Sequence, residues 1–398
     1  MALHADTVWE VRTTGNANNG GGYHSSGGSD YSQQDSPQLT LNDIVTNGTT
    51  TVTSATGGFT AAMVGNIINI LTKGRFEIVG YTDTNTITID RIATAGSGLT
   101  ANVGGAVISL EDIDNVIVAG NTVWIKAGTY TSTTSIATTA GSTTVIVTIE
   151  GYNSARGDDP TGDNRPLLAS GAQSFTIGSY TFVKHLRITI TQVSGVQVSS
   201  AWMINCKVTQ TANNANAITA TYATLIDCEI SSTGTIAYAV YDNPGPVKMH
   251  GCYVHDSYYG IGGVNTAGNV IEFCVMDTCT YGIQLLVNGR SYNTIKNNVF
   301  YNCTDAIYLN QTAFDNVIMN NIFNAGVDGI HFTATSPDNW LDYNDFYGNS
   351  GNDVTNISKG EHDIAVDPQF VNAAGGNFSL QAGSACIGAG FATRLGVG

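Results

Sequence analysis

Charge is scarce in this chain of 398 residues: Asp, Glu, Lys and Arg together make up 12%, about half the share of an ordinary soluble domain. Basic residues are the scarcer kind, 15 against 31 acidic, for a formal charge of −16. Nucleic-acid binding needs clustered Lys and Arg to neutralise phosphates, so no nucleic-acid partner is expected. Long apolar runs are also missing. None approaches the roughly 18 residues of a membrane-spanning helix, so no membrane span is expected. Proline is rare, at 7 residues, which excludes a Pro-rich extended linker. The start, MALHADTVWEV, has neither a basic segment nor an apolar one, and a secretory signal is not expected. Cysteines number seven, an odd count, and no CxxC pair occurs. Buried thiols fit better than a disulfide framework or a zinc knuckle. What the chain has instead is 42% hydrophobic residues and 46 glycines. That is enough apolar material for a large core, kept soluble by hydroxyls, amides and carboxylates.

Internal repetition organises much of the sequence. The segments MHGCYVHDS (249–257), IEFCVMDTC (271–279), IKNNVFYNC (295–303), IMNNIFNAG (318–326) and LDYNDFYGN (341–349) share one pattern. Their fourth residues are Cys252, Cys274, Asn298, Asn321 and Asn344, with gaps of 22, 24, 23 and 23. The series extends back to Cys228 and Cys206. Two positions on runs a second series, Ile230, Val254, Met276, Phe300, Phe323 and Phe346. A third follows each unit: YGI (259–261), YGI (281–283), DAI (305–307) and DGI (328–330). The runs alternate in twos and fit no helical period, so each unit holds two short strands in fixed phase with turn residues between. One such unit cannot bury its inner face alone, and stacking of units forms the core. The cysteines then form an interior column, and the asparagines an amide ladder.

The elements n-x-i-x-n-N-x-f and g-I-x-l, as in NTIKNNVFYNCTDAIYL (293–309), resemble the right-handed parallel β-helix repeat of the pectate-lyase-like superfamily. The resemblance is clear over about 200–350 and weaker back to about 112. It implies an all-β fold, a solenoid of about 22–24 residues per coil with a small N-terminal β-domain as cap. It does not fix an activity, because one scaffold carries many functions.

Four regions are expected. Residues 1–37, rich in Gly, Asn, Ser and Gln, read as an irregular N-terminal arm after one short strand, TVWEVR, with Trp9, Tyr23 and Tyr31 pointing to packing on something. Residues 38–110 break the repeat phase and read as a small β-rich capping domain, with strands TTVTSA, NIINIL, RFEIVGY and TITIDR and a hairpin turn at TDTN (82–85). Residues 111–370 are the β-helix, beginning near I-x-A-G-T-Y (125–130), which resembles the first coil of the same superfamily. Residues 371–398 form a cap or tail; the segment 367–390 resembles the closing segment of such chains.

No catalytic set stands out. Asp305 and Asp328 hold the same phase in successive coils, which places their Cα atoms about 5 Å apart. They are candidates for a glycosidase pair, although Asp is also a common turn residue. Asp342 is a further candidate, within a polar-aromatic group with Asp338, Asp345 and His331. Trp340, next to it, can stack on a sugar ring. The loop residues Asp158, Asp159 and Asp163 are candidate oxygen ligands for calcium without the spacing of a loop motif. No cofactor is implied. Tyr253, Val275, Val299 and Ile322 form an outward apolar stripe, a candidate interface for an oligomer, a trimer for instance, or an assembly.

The expected function is structural: a bacteriophage virion protein, a capsid decoration or tail spike, held to capsid or tail proteins through the arm and able to bind host-surface polysaccharide. In that reading, removal of 1–37 abolishes attachment while the rest still folds. The alternatives are a polysaccharide hydrolase or lyase, and a cell-surface or filament protein.

Overall fold

The computed structural model describes residues 3–132, 135–138, 141–170, 174–192, 194–264, 267–286, 289–309, 313–335 and 338–391. Apart from short 3-10 turns, its regular structure is all strand. The chain divides into two compact units, 1–187 and 188–398.

The first unit contains a closed antiparallel barrel. Strands Leu39–Thr46, Thr51–Ser54, Thr86–Ile89, Gly74–Asp83, Ile67–Ile70 and Gly96–Val103 follow one another around it. Its interior holds Ile44, Val52, Phe59, Ile68, Phe76, Ile78 and Ile87. The 82–85 turn joins the two strands expected of it. Leu39–Thr46 and Gly96–Val103, which close the barrel, are not among the strands expected from sequence; the second contains two glycines, which weaken a strand signal.

The N-terminal arm packs, as its aromatics suggest, and does so within the first unit rather than as a segment removable without loss of folding. Val8–Val11 pairs in parallel with Thr122–Lys126, the strand of the I-x-A-G-T-Y coil, and antiparallel with Gly22–Tyr23. Trp9 is 0% exposed, and its indole Nε1 donates to Asn121 Oδ1 at 2.9 Å. Glu10, also 0% exposed, receives Arg12 and Arg156 at 2.7 Å each and the Tyr152 hydroxyl. A buried carboxylate is tolerated only when so paired. Asn19 Nδ2 donates to Ala106 O at 2.8 Å and Asp35 O at 2.9 Å, so the Gly-rich stretch is fixed to the residues that follow the barrel. A tryptophan core and a buried ion triad make this arm part of the unit's fold.

In the second unit, successive coils supply strands to three parallel sheets, one strand per coil more than the two expected, because the short run before each Cys or Asn pairs as a strand of its own. The first runs from Trp202–Ile204 to Trp340–Asp342, the second from Lys207–Gln210 to Asp345–Tyr347, and the third from Val196–Ser199 to Val354–Thr355. Like stacks on like. Ile230, Val254, Met276, Phe300, Phe323 and Phe346 are consecutive partners in register, and the three phenyl rings stack 4.9 and 4.8 Å apart. Between the first and second sheets each chain turn passes through one left-handed residue: Asn205, Asp227, Gly251, Phe273, Asn297, Asn320 and Tyr343. Gly, Asn and Asp reach that region most easily. The next residue is the buried Cys or Asn of the repeat. Asn298 and Asn321 each accept, on Oδ1, the backbone N–H of the residue one coil before. The thiols donate to a preceding carbonyl from the equivalent position, Cys228 to Met203 O and Cys252 to Leu225 O. All six cysteines in 206–303 are buried. A second asparagine ladder, Asn269, Asn293, Asn316 and Asn339, bonds in the same way.

After the last coil the chain folds back onto it, with Ile364 bridging to Asp345 and Cys386 Sγ donating to Asp345 Oδ2 at 3.3 Å. Phe370–Asn372 and Asn377–Leu380 form a hairpin laid along the side of the coils. Phe378 lies 6.4 Å from Tyr253 and 5.4 Å from Tyr301, ring to ring. Phe391 N donates to Asn320 Oδ1 at 2.8 Å.

Candidate functional site: a tyrosine row ending in two aspartates

The third sheet of the second unit carries two in-register rows on its outer face. Tyr238, Tyr259, Tyr281, Asp305 and Asp328 are successive partners in one. Tyr241, Gly262, Gln284, Tyr308 and His331 are successive partners in the next. Parallel pairing of coils in constant phase puts residues of equal phase one strand apart, which is why five such residues meet on one face. Tyr238 and Tyr259 stack at 4.4 Å and 19°, and Tyr259 and Tyr281 at 5.3 Å and 21°. Tyr308 turns edge-on to Tyr281 at 5.4 Å and to His331 at 5.1 Å. Glycine at 262 is required here. A Cβ on it would lie 3.0 Å from the Tyr238 ring and 2.0 Å from Gln284 O. The Tyr238 hydroxyl donates to Gln284 Oε1 at 2.8 Å, which fixes the ring with one face half-exposed.

At the end of the row, Asp305, Asp328 and His331 each bring one ligand atom within 4.8 Å of the others. His331 Nδ1 is 3.6 Å from Asp305 Oδ1, and Asp328 Oδ1 accepts Asn352 N at 2.6 Å. Burial raises the Asp305 pKa above the carboxylate norm; His331 offsets part of this, and the neighbouring Asp328 charge adds to it. Such a trio can share a proton or hold a divalent cation. A second close set is His4, Asp6 and His24, but its two imidazole rings stack 3.8 Å apart at 24°, so their in-plane lone pairs do not converge on one ion.

The other sequence candidates do not join this site. Asp342 lies on the first sheet, where its carboxylate takes His362 Nδ1 at 2.9 Å and His362 N at 2.8 Å. These bonds hold its pKa down against the effect of burial. Asp345 is buried beside Cys386, so the polar-aromatic group expected around Trp340 is dispersed over separate faces. Trp340 is 54% exposed on the first sheet. The three loop aspartates of the first unit face different partners. Asp158 caps its own turn through Asn153 N and Ser154 N, Asp159 faces His185 at 3.5 Å and Asp163 faces Arg187 at 2.5 Å. They do not converge on one point.

The apolar stripe is not an open surface. Tyr253, Val275 and Val299 line a groove of about 390 Å³ roofed by 376–379. Val299 and Ile322 line another of about 220 Å³ under Leu380, Cys386 and Ala389. The chain's own C-terminal segment therefore covers much of what reads in sequence as a partner surface.

The tyrosine row was missed from sequence, although its signal is present. The residue before each G-I or A-I in the third series is Tyr259, Tyr281, Asp305 or Asp328. His331 was grouped with Trp340 by sequence proximity; its sheet position places it beside Asp305.

A model described as right handed β-helix region matches residues 187–346. The second unit is a right-handed parallel β-helix. Solved structures similar to the chain include pectate lyase Pel9A, at 14% identity and TM-score 0.43 over 73% of this chain and 88% of that one. An alginate lyase from Paenibacillus sp. str. FPU-7 has 14% identity and TM-score 0.44 over 64% and 96%. The PL6 family alginate lyase AlyGC has 13% identity and TM-score 0.48 over 62% and 39%. No curated protein matches the chain in sequence.

Proposed function

We propose that this protein binds a polysaccharide along the outer face of the third sheet of its β-helix. The observation that carries the reading is the row Tyr238, Tyr259 and Tyr281, half-buried rings one coil apart, which with Tyr308 of the neighbouring row leads to Asp305, Asp328 and His331. The outward edges and hydroxyls of these stacked rings, with the carboxylates and the imidazole, accept from and donate to sugar hydroxyls. Of the expected partners this keeps the glycan. Placement in a virus particle draws on the composition of the strands, the missing signal, the apolar stripe and the lack of a catalytic set; of these the stripe is largely covered by the chain's own 376–390 segment.

A second reading, cleavage of the bound chain, is favoured by the trio itself. Asp305 retains its proton to higher pH than an ordinary carboxyl group, which suits donation to a leaving oxygen. Asp328 or His331 then serves as base or nucleophile.

A panel of soluble polysaccharides run in affinity gels tests binding. At least one should retard the protein, and Tyr259→Ala and Tyr281→Ala should each weaken that retardation about tenfold, as expected for loss of an aromatic contact of roughly 1.4 kcal/mol. Retardation unchanged in both variants, or none by any glycan, refutes the site. New reducing ends or unsaturated products that disappear in Asp305→Asn mark cleavage.

A further inference from the structure

We infer that the sheet face proposed for polysaccharide binding selects chains whose sugars carry free amino groups, polymers of the glucosamine type, over uronate polymers. The inference rests on that reading and names the substrate class of the same site. It follows from where the charges stand. Among the described residues of the second unit, no strand of the third sheet, from Val196–Ser199 to Val354–Thr355, carries Lys or Arg. The lysines of this unit stand elsewhere. Lys248 and Lys296 lie on the first sheet. Lys207, on the second, pairs with Glu229 at 2.6 Å, and Lys359 pairs with Asp353. Arg290 belongs to a separate two-stranded sheet. What the third sheet carries is Asp305 and Asp328, partners in register, with His331 Nδ1 3.6 Å from Asp305 Oδ1. Their charge reaches along the row: burial first, and then the Asp305 carboxylate, raise the Tyr281 hydroxyl above its ordinary pKa.

A uronate polymer brings a carboxylate on each sugar. Its recognition needs Lys, Arg or a metal ion to neutralise that charge. On this face such a carboxylate meets Asp305 and Asp328, and like charges set against each other are rejected. The formal charge of −16 on the chain adds repulsion at longer range. An amino sugar reverses the sign. Its ammonium, like that of lysine, offers three donors and no acceptor. One atom each of Asp305, Asp328 and His331 lie within 4.8 Å of one another. A point then exists within about 2.8 Å of all three, so a nitrogen at or just above their plane reaches both carboxylates at hydrogen-bond distance. Bonds between two charged groups are the strong kind. The hydroxyls of Tyr259 and Tyr281, one coil apart and leading to Asp305, then meet the hydroxyls of neighbouring sugars. N-acetylation removes the charge and two of the three donors while leaving the rest of the sugar unchanged.

The test is calorimetric titration of the full chain with three soluble oligosaccharides of equal length: oligoglucosamine, its fully N-acetylated form and oligogalacturonate. Salt at about 0.15 M screens attraction at long range. Oligoglucosamine should bind about tenfold tighter than the N-acetylated form, or more, the effect of one charge-assisted hydrogen bond. Oligogalacturonate should not bind. The double variant Asp305→Asn, Asp328→Asn should bind the first two alike. Asparagine keeps an oxygen to accept Asn352 N, and circular dichroism checks the fold. Asp83→Asn, at an exposed position of the barrel, should keep the parent's preference, which separates this face from attraction to net charge. Equal affinity for the amino and N-acetylated forms, tighter binding of oligogalacturonate, or a preference that survives the double variant overturns the inference while the polysaccharide face stands. So does oligogalacturonate binding that EDTA abolishes, which marks the trio as a metal bridge. No binding of any of the three, or binding indifferent to both Tyr259→Ala and Tyr281→Ala, overturns the polysaccharide reading and this inference with it.

Discussion

Replacement of Asn321 by alanine tests what holds the coils in register. Asn321 is 1% exposed. Its Nδ2 donates to Ile295 O and Asn344 Oδ1, both at 3.0 Å. Its Oδ1 accepts Asn298 N and Asn298 Nδ2, also at 3.0 Å. Alanine deletes all four bonds and leaves the buried Asn298 N–H without its acceptor. The Asn298 amide keeps Ile271 O, and Asn344 Oδ1 keeps Asn321 N. Four bonds at roughly 1 kcal/mol net each give a loss of about 4 kcal/mol, and the orphaned N–H pushes the figure upward. Asn321→Cys should cost about half as much, roughly 2 kcal/mol, because a thiol can still donate as Cys252 does to Leu225 O. Lys248→Ala, at an exposed position, should stay within about 0.5 kcal/mol. Urea unfolding followed by circular dichroism gives the differences. Long repeat arrays lose two-state behaviour, so amide exchange of the 295–346 coils should be measured beside it. If Asn321→Ala unfolds within 1 kcal/mol of the Lys248→Ala control, the ladder adds nothing net and the argument from buried amide pairing fails.

Two other outcomes follow from the structure. Trp9→Ala should destabilise the first unit by about 3–5 kcal/mol, and deletion of 1–37 should yield insoluble protein; a soluble, cooperatively melting deletant would show the arm to be dispensable. The Glu229 group gives a pH signature. His255 Nε2 at 3.4 Å, opposed by burial and aided by Lys207 at 2.6 Å, lowers Glu229 to about 2 from 4.5, so its contribution is full above pH 4.5 and fades as pH falls towards 2. His255 is raised above 6.5, the carboxylates of Glu229 and Asp256 outweighing burial, so its contribution is full below 6.5 and fades as pH rises through the raised value. The melting-temperature gap between parent and Glu229→Gln should therefore be widest between pH 4.5 and 6.5; a gap that widens steadily towards alkaline pH contradicts the assignment.

The repeat was legible because a solenoid writes its geometry into the chain. Equal phase in sequence becomes adjacency in space, so the Cys, Asn and Phe series could be read as columns before any coordinates existed. The same rule placed Asp305 beside Asp328. It had the power to reveal the tyrosine row too, but tyrosine on a strand reads as β-propensity until its neighbours are known.

Sequence by itself determined the all-β class, the coil period and the Cys, Asn298–Asn344 and Phe columns, because these depend on local alternation and on residues one coil apart. Tertiary structure alone decided three things. It folded the arm into the first unit, through partners more than a hundred residues away such as Asn121 and Arg156. It drew the C-terminal hairpin across the apolar stripe. It sorted the aspartates by face, sending Asp342 to His362 and Asp305 to His331. None of these contacts repeats along the chain. Each joins segments whose separation has no period, and such contacts are fixed by packing and burial rather than by phase.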